Sequence, residues 1–271
     1  MVFGMCPDSA PGPDGFGGCF YQSCWHIIGV DVISAVRTFF FHGHFPLGMN
    51  ASFVTRIPKV REALRIEDFR PIVLGNFLYK IIAKIVVDRL GQILSGLISF
   101  HQFGFIPGRR IHDCIALASE GVNSLGNHFR EGNLVLKVDI RKAFYTLDWN
   151  FLLAVLSSWG FSDTFVGWIN HILHSARLSI LVNGSPEGYF GCSQGVRQGD
   201  PLSPLLFCVA EEVLSRRLSR AAATGEISPL FIGRDIVFPS HLLYADDVII
   251  FCRASNANCR AILRILEHYA T

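Results

Sequence analysis

Apolar residues recur at helical spacing between residues 72 and 98. The repeating positions are Leu78, Ile81, Ile82, Ile85, Val86 and Leu90. Lys80, Lys84 and Asp88 fall on the opposite side of such a helix, so one face is apolar and the other is charged. The pattern therefore predicts an amphipathic helix in this stretch.

Four further stretches carry helical patterns or helix-start signals. They cover residues 19–41, 150–159, 163–175 and a segment that Pro201 opens and that runs to about Arg220. Asp148 lies just before the second of them and is a residue type that commonly caps a helix N-terminus. We therefore expect Asp148 to cap this helix rather than to bind metal, and Trp149 and Trp159 to be core residues.

Two apolar strand patterns end or turn at acidic residues. Residues 134–138 are apolar apart from one lysine and stop at Asp139, and residues 241–251 form a second run with Asp246 and Asp247 at a turn inside it. A strand disfavours Asp, and two adjacent carboxylates repel each other unless a cation binds them. A hairpin turn alone would also accept Asp. Carboxylates from distant strands are, however, what a two-metal phosphoryl-transfer site requires, so divalent metal is the leading interpretation.

A hairpin and one more strand complete the pattern. Residues 179–182 and 188–191 flank Asn183-Gly184, whose residue types supply the positive φ angles of a tight turn. Residues 229–237 predict the additional strand. The sum is an α+β fold, with a small antiparallel sheet backed by helices.

Composition agrees with a folded protein and leaves its partner open. The chain has 271 residues, 50% of them hydrophobic, which is enough for a sizeable core. Its net charge of +2 gives no strong expectation of a polyanionic partner. Residues 56–110, however, contain ten basic and four acidic side chains. Nucleic-acid binding would therefore depend on this basic segment.

Cysteine spacing and hydropathy bear on the compartment. The eight cysteines form no Cys-x-x-Cys pair and the chain start resembles no secretory signal, so we expect a reducing, intracellular compartment, with nucleus and cytoplasm both open. The longest uncharged run, residues 90–108, contains four glycines and a proline and is a poor membrane span. His42 and His44 have no second ligand pair at metal-binding spacing, so we expect no zinc site there.

Eight segments together resemble one family. In chain order they are Pro11-Gly-Pro-Asp-Gly-Phe16, Ile57-Pro-Lys59, Asp68-Phe-Arg-Pro-Ile72, Tyr79-Lys-Ile-Ile-Ala-Lys84, Gln102 with Gly104-Phe-Ile-Pro-Gly-Arg109, Asp139-Ile-Arg-Lys-Ala-Phe144, Gly195-Val-Arg-Gln-Gly-Asp-Pro-Leu-Ser-Pro204 and Tyr244-Ala-Asp-Asp247. In this order they resemble the reverse transcriptases of plant-type non-LTR (LINE-type) retrotransposons. The resemblance implies a right-hand polymerase fold, of which this chain would hold the fingers and most of the palm in residues 51–271. Residues 1–50 would form an N-terminal extension leading into the fingers.

The resemblance also implies a catalytic centre. Asp139 and Asp246 correspond to the two metal-binding palm carboxylates, and Asp247 to their acidic neighbour. They would hold two Mg²⁺ ions, with Mn²⁺ as a possible substitute, while a primer 3′ oxygen attacks a deoxynucleoside triphosphate. The partners implied are an RNA template, a DNA primer and deoxynucleoside triphosphates, with no membrane.

Six further residues correspond to substrate contacts. Phe144 matches the aromatic residue beneath the incoming sugar, and Gln198 and Gly199 match the loop that supports nucleotide and template. Lys59 and Arg70 are assigned to the triphosphate or the template, and Arg109 to the template backbone, because cations offset phosphate charge. A core aromatic is the alternative for Phe144, and a solvated basic face is the alternative for the three cations.

Two departures from the family favour a second hypothesis. The family often has Asp after the aromatic residue, where this chain has Tyr145, and the sequence stops at Thr271 before the expected primer grip and thumb. We therefore expect a truncated copy with the thumb absent. Whether thumb and endonuclease regions act on it in trans is left open by the sequence. The alternative function is a catalytically inactive fragment that binds RNA or RNA–DNA hybrid. A carboxylate-dependent phosphatase or nuclease explains neither Phe144 nor the 195–204 segment.

Overall fold

The structure is a computed structural model that describes residues 1–126, 132–230, 232 and 238–270. Its helices are α1 (Gly18–Ser23), α2 (Trp25–His42), α3 (Phe77–Leu97), α4 (Ile111–Asn123), α5 (Ala143–Thr146), α6 (Trp149–Ser158), α7 (Asp163–His174), α8 (Ser203–Ala223) and α9 (Asn256–Ala270). Its strands are β1 (Ala51–Pro58), β2 (Phe69–Gly75), β3 (Asn133–Asp139), β4 (Arg177–Val182), β5 (Ser185–Phe190), β6 (His241–Tyr244) and β7 (Asp247–Arg253). The chain divides into a first unit, Met1–Arg89 with Phe144–Leu206, and a second unit, Leu90–Ala143 with Phe207–Thr271.

The first unit contains a mixed four-stranded sheet in the order β2-β1-β4-β5. Strand β1 is antiparallel to β2 and parallel to β4, and β4 and β5 form the predicted hairpin. Asn183 and Gly184 have φ angles of 50° and 84°, as the tight turn requires. The hairpin prediction is therefore confirmed, whereas β1 and β2 were not predicted.

The predicted helix around residues 72–98 begins later than its pattern suggested. Ile72 lies in β2, where it pairs with Thr55 of β1, and α3 starts only at Phe77. Pro71 disfavours helical backbone at the residue before it, and the β1 ladder then holds this segment extended. The helix predicted for residues 19–41 is likewise divided into α1 and α2 at Cys24, whose ψ angle of 9° departs from the helical value.

The N-terminal segment packs onto α3. Val2, Tyr21 and Val32 form an apolar cluster with Phe77 and Ile81. Val2, Tyr21 and Val32 thus contribute to the core of the first unit, while a division of the domains at residue 50 stays a prediction.

The second unit contains a three-stranded antiparallel sheet in the order β3-β7-β6. One face of the sheet packs on α8 and α9 through a cluster that includes Leu214, Leu243, Val248 and Ile262. The opposite face packs through Phe251 against Cys114 of α4. The prediction of an α+β fold with a small sheet backed by helices is confirmed.

The remaining predicted elements agree closely with the structure. The exception is the strand predicted at 229–237, which the structure describes only in part. Strand β3, helices α6 and α7 and the β6–β7 hairpin occur within one or two residues of their predicted bounds, and α8 starts two residues after Pro201. Of the strand predicted at 229–237, residues 231 and 233–237 lie outside the described residues.

A buried polar network joins β6 to α8 and to the segment before α4. The His241 ring stacks on His101 at a centroid distance of 4.1 Å, and its nitrogens bond the hydroxyls of Ser215 and Ser240. Burial, followed by the neighbouring His101, lowers the pKa of His241 to about 3. Burial and the charge of Arg109 lower the pKa of His101 to about 4. Both rings are therefore neutral in the folded protein at pH 7.

These histidines predict a loss of stability in acid. The unfolded state takes up their protons below a pH of about 6.5 and the folded state does so only near pH 3 to 4, so stability falls as the pH falls through that window. Each histidine contributes a slope of about 1.4 kcal/mol per pH unit. Urea unfolding at several pH values between 7 and 4.5 measures the change of unfolding free energy with pH. This change should be smaller for His241→Asn than for the wild type. The exposed His26→Asn is the control, and equal slopes in the wild type and His241→Asn would contradict the prediction.

Candidate active site

The strand register of the second unit brings the predicted carboxylates to one end of its sheet. Asp139 is the last residue of β3 and lies opposite Asp247, the first residue of β7. The Ile140 amide donates to the Asp246 carbonyl at 3.1 Å and extends this pairing into the turn. Three acidic residues from segments more than 100 positions apart thus share one sheet end, as the sequence predicted.

The turn that carries Asp246 is tight and strained. Tyr244 and Asp247 pair directly, which leaves Ala245 and Asp246 as a two-residue hairpin loop. Ala245 has a φ angle of 52°, a conformation that costs free energy for a residue with a side chain. Neighbouring contacts must therefore hold the turn in place.

Residues 101–104 supply such contacts along β6. Leu243 donates its amide to the carbonyl of His101 and accepts from the amide of Phe103, both at 2.8 Å. A Cβ atom on Gly104 would lie 2.6 Å from the Ala245 nitrogen, closer than real contacts allow. Only glycine fits this close approach to the turn.

Arg109 fastens the same segment. Its guanidinium donates to the backbone carbonyls of Ile98, Ser99 and Gln102 and is partly buried. Burial lowers the pKa of Arg109, although the Glu212 carboxylate opposes that shift. The geometry gives Arg109 a structural part next to β6, and its role as a template contact stays a prediction.

The three carboxylates differ in their surroundings. The Asp139 and Asp246 side chains are exposed, whereas Asp247 forms an ion pair with Lys137 at 2.8 Å, which raises the pKa of the lysine. Among the described residues, no group of three or more His, Cys, Asp or Glu side chains forms a ready metal cage. Mg²⁺ typically takes only one or two carboxylates and keeps several waters, and two exposed carboxylates fit that requirement.

Glu211 is an acidic residue that the sequence analysis missed. It lies fully buried on α8, and within the described part of the chain neither of its carboxylate oxygens has a hydrogen-bond partner. Burial, and secondarily the charge of Asp246, raise the pKa of Glu211 well above its usual value. Burial thus favours the neutral form of Glu211, which adds no negative charge near the exposed carboxylates. Its position inside an apolar helical pattern was the available signal.

The first unit holds the loop with Gln198 and Gly199 against β2. The Val73 amide donates to the Gln198 carbonyl at 2.8 Å. Gly199 has a φ angle of 105°, and a Cβ atom there would come within 2.9 Å of the Val73 carbonyl oxygen. A side chain at this position would thus strain the loop and push it off the strand.

A buried ion pair fixes the shape of this loop. Arg197 and Asp200 meet at 2.6 Å with side-chain exposures of 11% and 5%. The hydroxyl of Tyr79 donates to Asp200, and Arg197 also donates to Asn50 at 2.6 Å. Burial raises the pKa of Tyr79 well above its usual value. Tyr79 and Asn50 are supports that the sequence analysis did not identify.

The remaining predicted substrate contacts also lie in the first unit. The Phe144 carbonyl accepts from the Val196 amide at 2.6 Å, so its backbone is tied to the Gln198 loop. Arg70 is exposed on β2. Burial raises the pKa of Tyr145, and the charge of Arg70 opposes that shift. Lys59 is exposed near the β1–β2 connection and donates to the Glu67 carbonyl at 2.8 Å. The structure thus groups Phe144, Gln198 and Gly199 and leaves Lys59 on an exposed hairpin.

The predictions for Asp148 and Trp149 are confirmed. Asp148 caps α6 by accepting from the Phe151 amide at 2.7 Å. Trp149 is buried and in addition donates from Nε1 to the Gly195 carbonyl at 2.7 Å. This bond adds a further support to the loop.

The ion pair predicts a large effect of its disruption. Arg197→Met leaves the Asp200 carboxylate buried without its cation, which should cost about 3–5 kcal/mol of unfolding free energy. Urea unfolding measures this loss, with the exposed Arg61→Met as the matched control. In the double variant Arg197→Met/Asp200→Asn no lone buried charge remains, so it should be more stable than the single arginine variant. Equal stability of Arg197→Met and Arg61→Met would contradict the assignment.

Comparison with known proteins identifies the family. Residues 57–271 match the family described as reverse transcriptase (RNA-dependent DNA polymerase). The chain is 31% identical over 222 residues to the transposon TX1 uncharacterized 149 kDa protein of Xenopus laevis, an alignment that covers 79% of this chain and 17% of that protein. It is 26% identical over 245 residues to the retrovirus-related Pol polyprotein from type-2 retrotransposable element R2DM of Drosophila melanogaster. That alignment covers 90% of this chain and 22% of that protein. The retrovirus-related Pol polyprotein from type-1 retrotransposable element R2 of Nasonia vitripennis is 25% identical over 261 residues. That alignment covers 96% of this chain and 24% of that protein.

The chain therefore spans only 17% to 24% of the length of these relatives. The family match nevertheless covers all nine predicted site residues, from Lys59 to Asp247. The relatives named above come from a transposon and from retrotransposable elements, and the chain belongs to the reverse transcriptase family, the RNA-dependent DNA polymerases.

Proposed function

We propose that this domain extends the 3′ end of a DNA primer with deoxynucleoside triphosphates on an RNA template. The observation that carries the proposal is the β3–β7 register, which places Asp139 beside the turn with Asp246. The second-unit sheet would act as the palm of a right-hand polymerase fold, and the β1–β2 hairpin would belong to its fingers. None of the helices in the described part of the chain combines the length and the apolarity needed to cross a membrane.

Asp139 and Asp246 are the residues that would hold two Mg²⁺ ions, for which Mn²⁺ could substitute. When bound, such ions supply Lewis-acid activation of the primer hydroxyl and neutralise charge on the transferred phosphate. Asp247 forms an ion pair with Lys137. It would stabilise the turn and its negative charge rather than act as a metal ligand. The exposure of Asp139 and Asp246 leaves room for water and substrate oxygens as the remaining ligands.

The first-unit residues would bind the nucleotide and the template. Arg70 and Lys59 offer positive charge to the triphosphate, and Arg70 can do so with two parallel hydrogen bonds. Gln198 and Gly199 would contact the nucleotide through amide and backbone, and the Phe144 ring would lie beneath its sugar. In the second unit, Arg109 would contact the template backbone in addition to the carbonyl groups that it already binds.

A second candidate function is binding of RNA or RNA–DNA hybrid without catalysis. Tyr145 favours it, because this chain has a neutral side chain where similar proteins often have a carboxylate. The chain covers less than a quarter of the length of the three relatives named above, so polymerisation by a longer protein that contains this domain is also part of the proposal.

The proposal predicts that Asp246→Asn abolishes primer extension on an RNA template. Loss of a metal ligand removes several kcal/mol of transition-state stabilisation, equivalent to a rate decrease of about a thousandfold. The exposed Asp31→Asn on α2 is the matched control and should leave the rate unchanged. Extension that persists in Asp246→Asn would refute the catalytic role. Hybrid binding by a wild type that extends no primer would favour the second candidate function.

Phe144 predicts discrimination against ribonucleotides. Phe144→Ala removes the ring that would contact the sugar, so we expect incorporation of ribonucleotides relative to deoxyribonucleotides to rise by about tenfold or more. The ratio of the two kcat/KM values measures this effect and cancels any loss of folded enzyme. An unchanged ratio would show that Phe144 is simply a packed aromatic.

A further inference from the structure

Tyr145 makes a specific contact with the candidate nucleotide-binding loop. Its hydroxyl donates to Oε1 of Gln198 at 2.6 Å, across 53 positions of the chain. The tyrosine is 39% exposed, so the contact lies at the surface of the first unit and not within its core.

The backbone around both residues is fixed independently of this bond. The Gly195 amide donates to the Leu147 carbonyl at 2.7 Å, and Val196 bonds the carbonyl of Phe144. A Cβ atom on Gly195 would lie 2.6 Å from the Tyr145 carbonyl oxygen, so the two segments touch directly. Because the backbones are already held, the side-chain bond costs rotamer entropy but little further backbone entropy.

The bond gives the Gln198 carboxamide a direction. A carboxamide has an acceptor end and a donor end, and Tyr145 binds the acceptor end. The N–H₂ end is thereby directed away from the tyrosine. Burial raises the pKa of Tyr145, and the positive charge of Arg70 opposes that shift, so Arg70 is a cation that could add a second donor group for the ligand. Two donor groups suit a ligand rich in acceptor oxygens, such as a nucleoside triphosphate.

We propose that Tyr145 is a positioning residue that orients Gln198 with its amide N–H₂ toward the acceptor oxygens of the incoming nucleotide. This inference rests on the function proposed above and deepens it. It gives the residue that replaces the family's frequent carboxylate a defined part in substrate affinity. A purely structural Tyr145 would instead act through its ring, which borders an apolar cavity of about 320 Å³ together with Trp149 and Leu178.

The test compares variants that separate the hydroxyl from the ring. Tyr145→Phe keeps the ring and removes the donor, Gln198→Ala removes the carboxamide, and the double variant lacks both. Tyr189→Phe, which alters an exposed tyrosine on β5, is the matched control. For the full chain of each variant, we would measure the equilibrium Kd for Mg·dTTP with a labelled hybrid, and KM and kcat for primer extension.

We expect Tyr145→Phe to raise Kd and KM for the nucleotide by about three- to tenfold, the range of a single hydrogen bond, with kcat within twofold of the wild type. The double variant should bind the nucleotide no more weakly than Gln198→Ala, because the hydroxyl acts only through the carboxamide. Tyr189→Phe should leave all three constants unchanged.

The outcomes distinguish this inference from the proposed polymerase activity. Unchanged Kd and KM in Tyr145→Phe, or additive effects in the double variant, would overturn the inference even if the wild type extends primers. A higher Kd in Tyr145→Phe, together with a double variant whose Kd equals that of Gln198→Ala, would support the inference. This holds even if no variant extends a primer. Absence of nucleotide binding by the wild type would overturn it outright.

Discussion

The antiparallel register between β3 and β7 is the constraint on which the candidate catalytic centre depends. Because side chains alternate between the two faces of a strand, a slip of one residue would move Asp139 away from Asp247 and turn the apolar positions of β3 toward the wrong side. Burial of Val248 and Ile250 against α8 and α9 opposes such a slip. Core packing therefore determines where the exposed carboxylates lie.

The strained turn that carries Asp246 depends on support from outside its own hairpin. Ala245 accepts an unfavourable φ angle, and Gly104 packs against its backbone because no larger residue fits. Arg109 holds the segment that supplies Gly104 by binding three of its carbonyl groups. Arg109, which the resemblance assigns to the template, thus stabilises the segment that packs against the turn. This support helps the exposed, charged turn to keep its strained conformation.

The loop with Gln198 is held by a different kind of interaction. A buried arginine–aspartate pair with Tyr79 and Asn50 fixes its backbone, and the Tyr145 hydroxyl orients one of its side chains. Removing one buried charge would leave the other without compensation, so loss of either partner would be strongly destabilising. The side chains that would contact a nucleotide consequently extend from a loop that buried contacts hold in place.

The sequence by itself determined the elements whose signals are local. Asp139 ends an apolar strand, Asn183-Gly184 makes a hairpin turn and Asp148 caps a helix because each depends on neighbours within a few residues. Motif order also identified the family. Only the tertiary structure decided that Ile72 lies in a strand, that Tyr79 supports Asp200 and that Tyr145 binds Gln198. These features depend on pairing between residues far apart in the chain, and no local pattern of apolar and polar positions specifies which distant groups will meet.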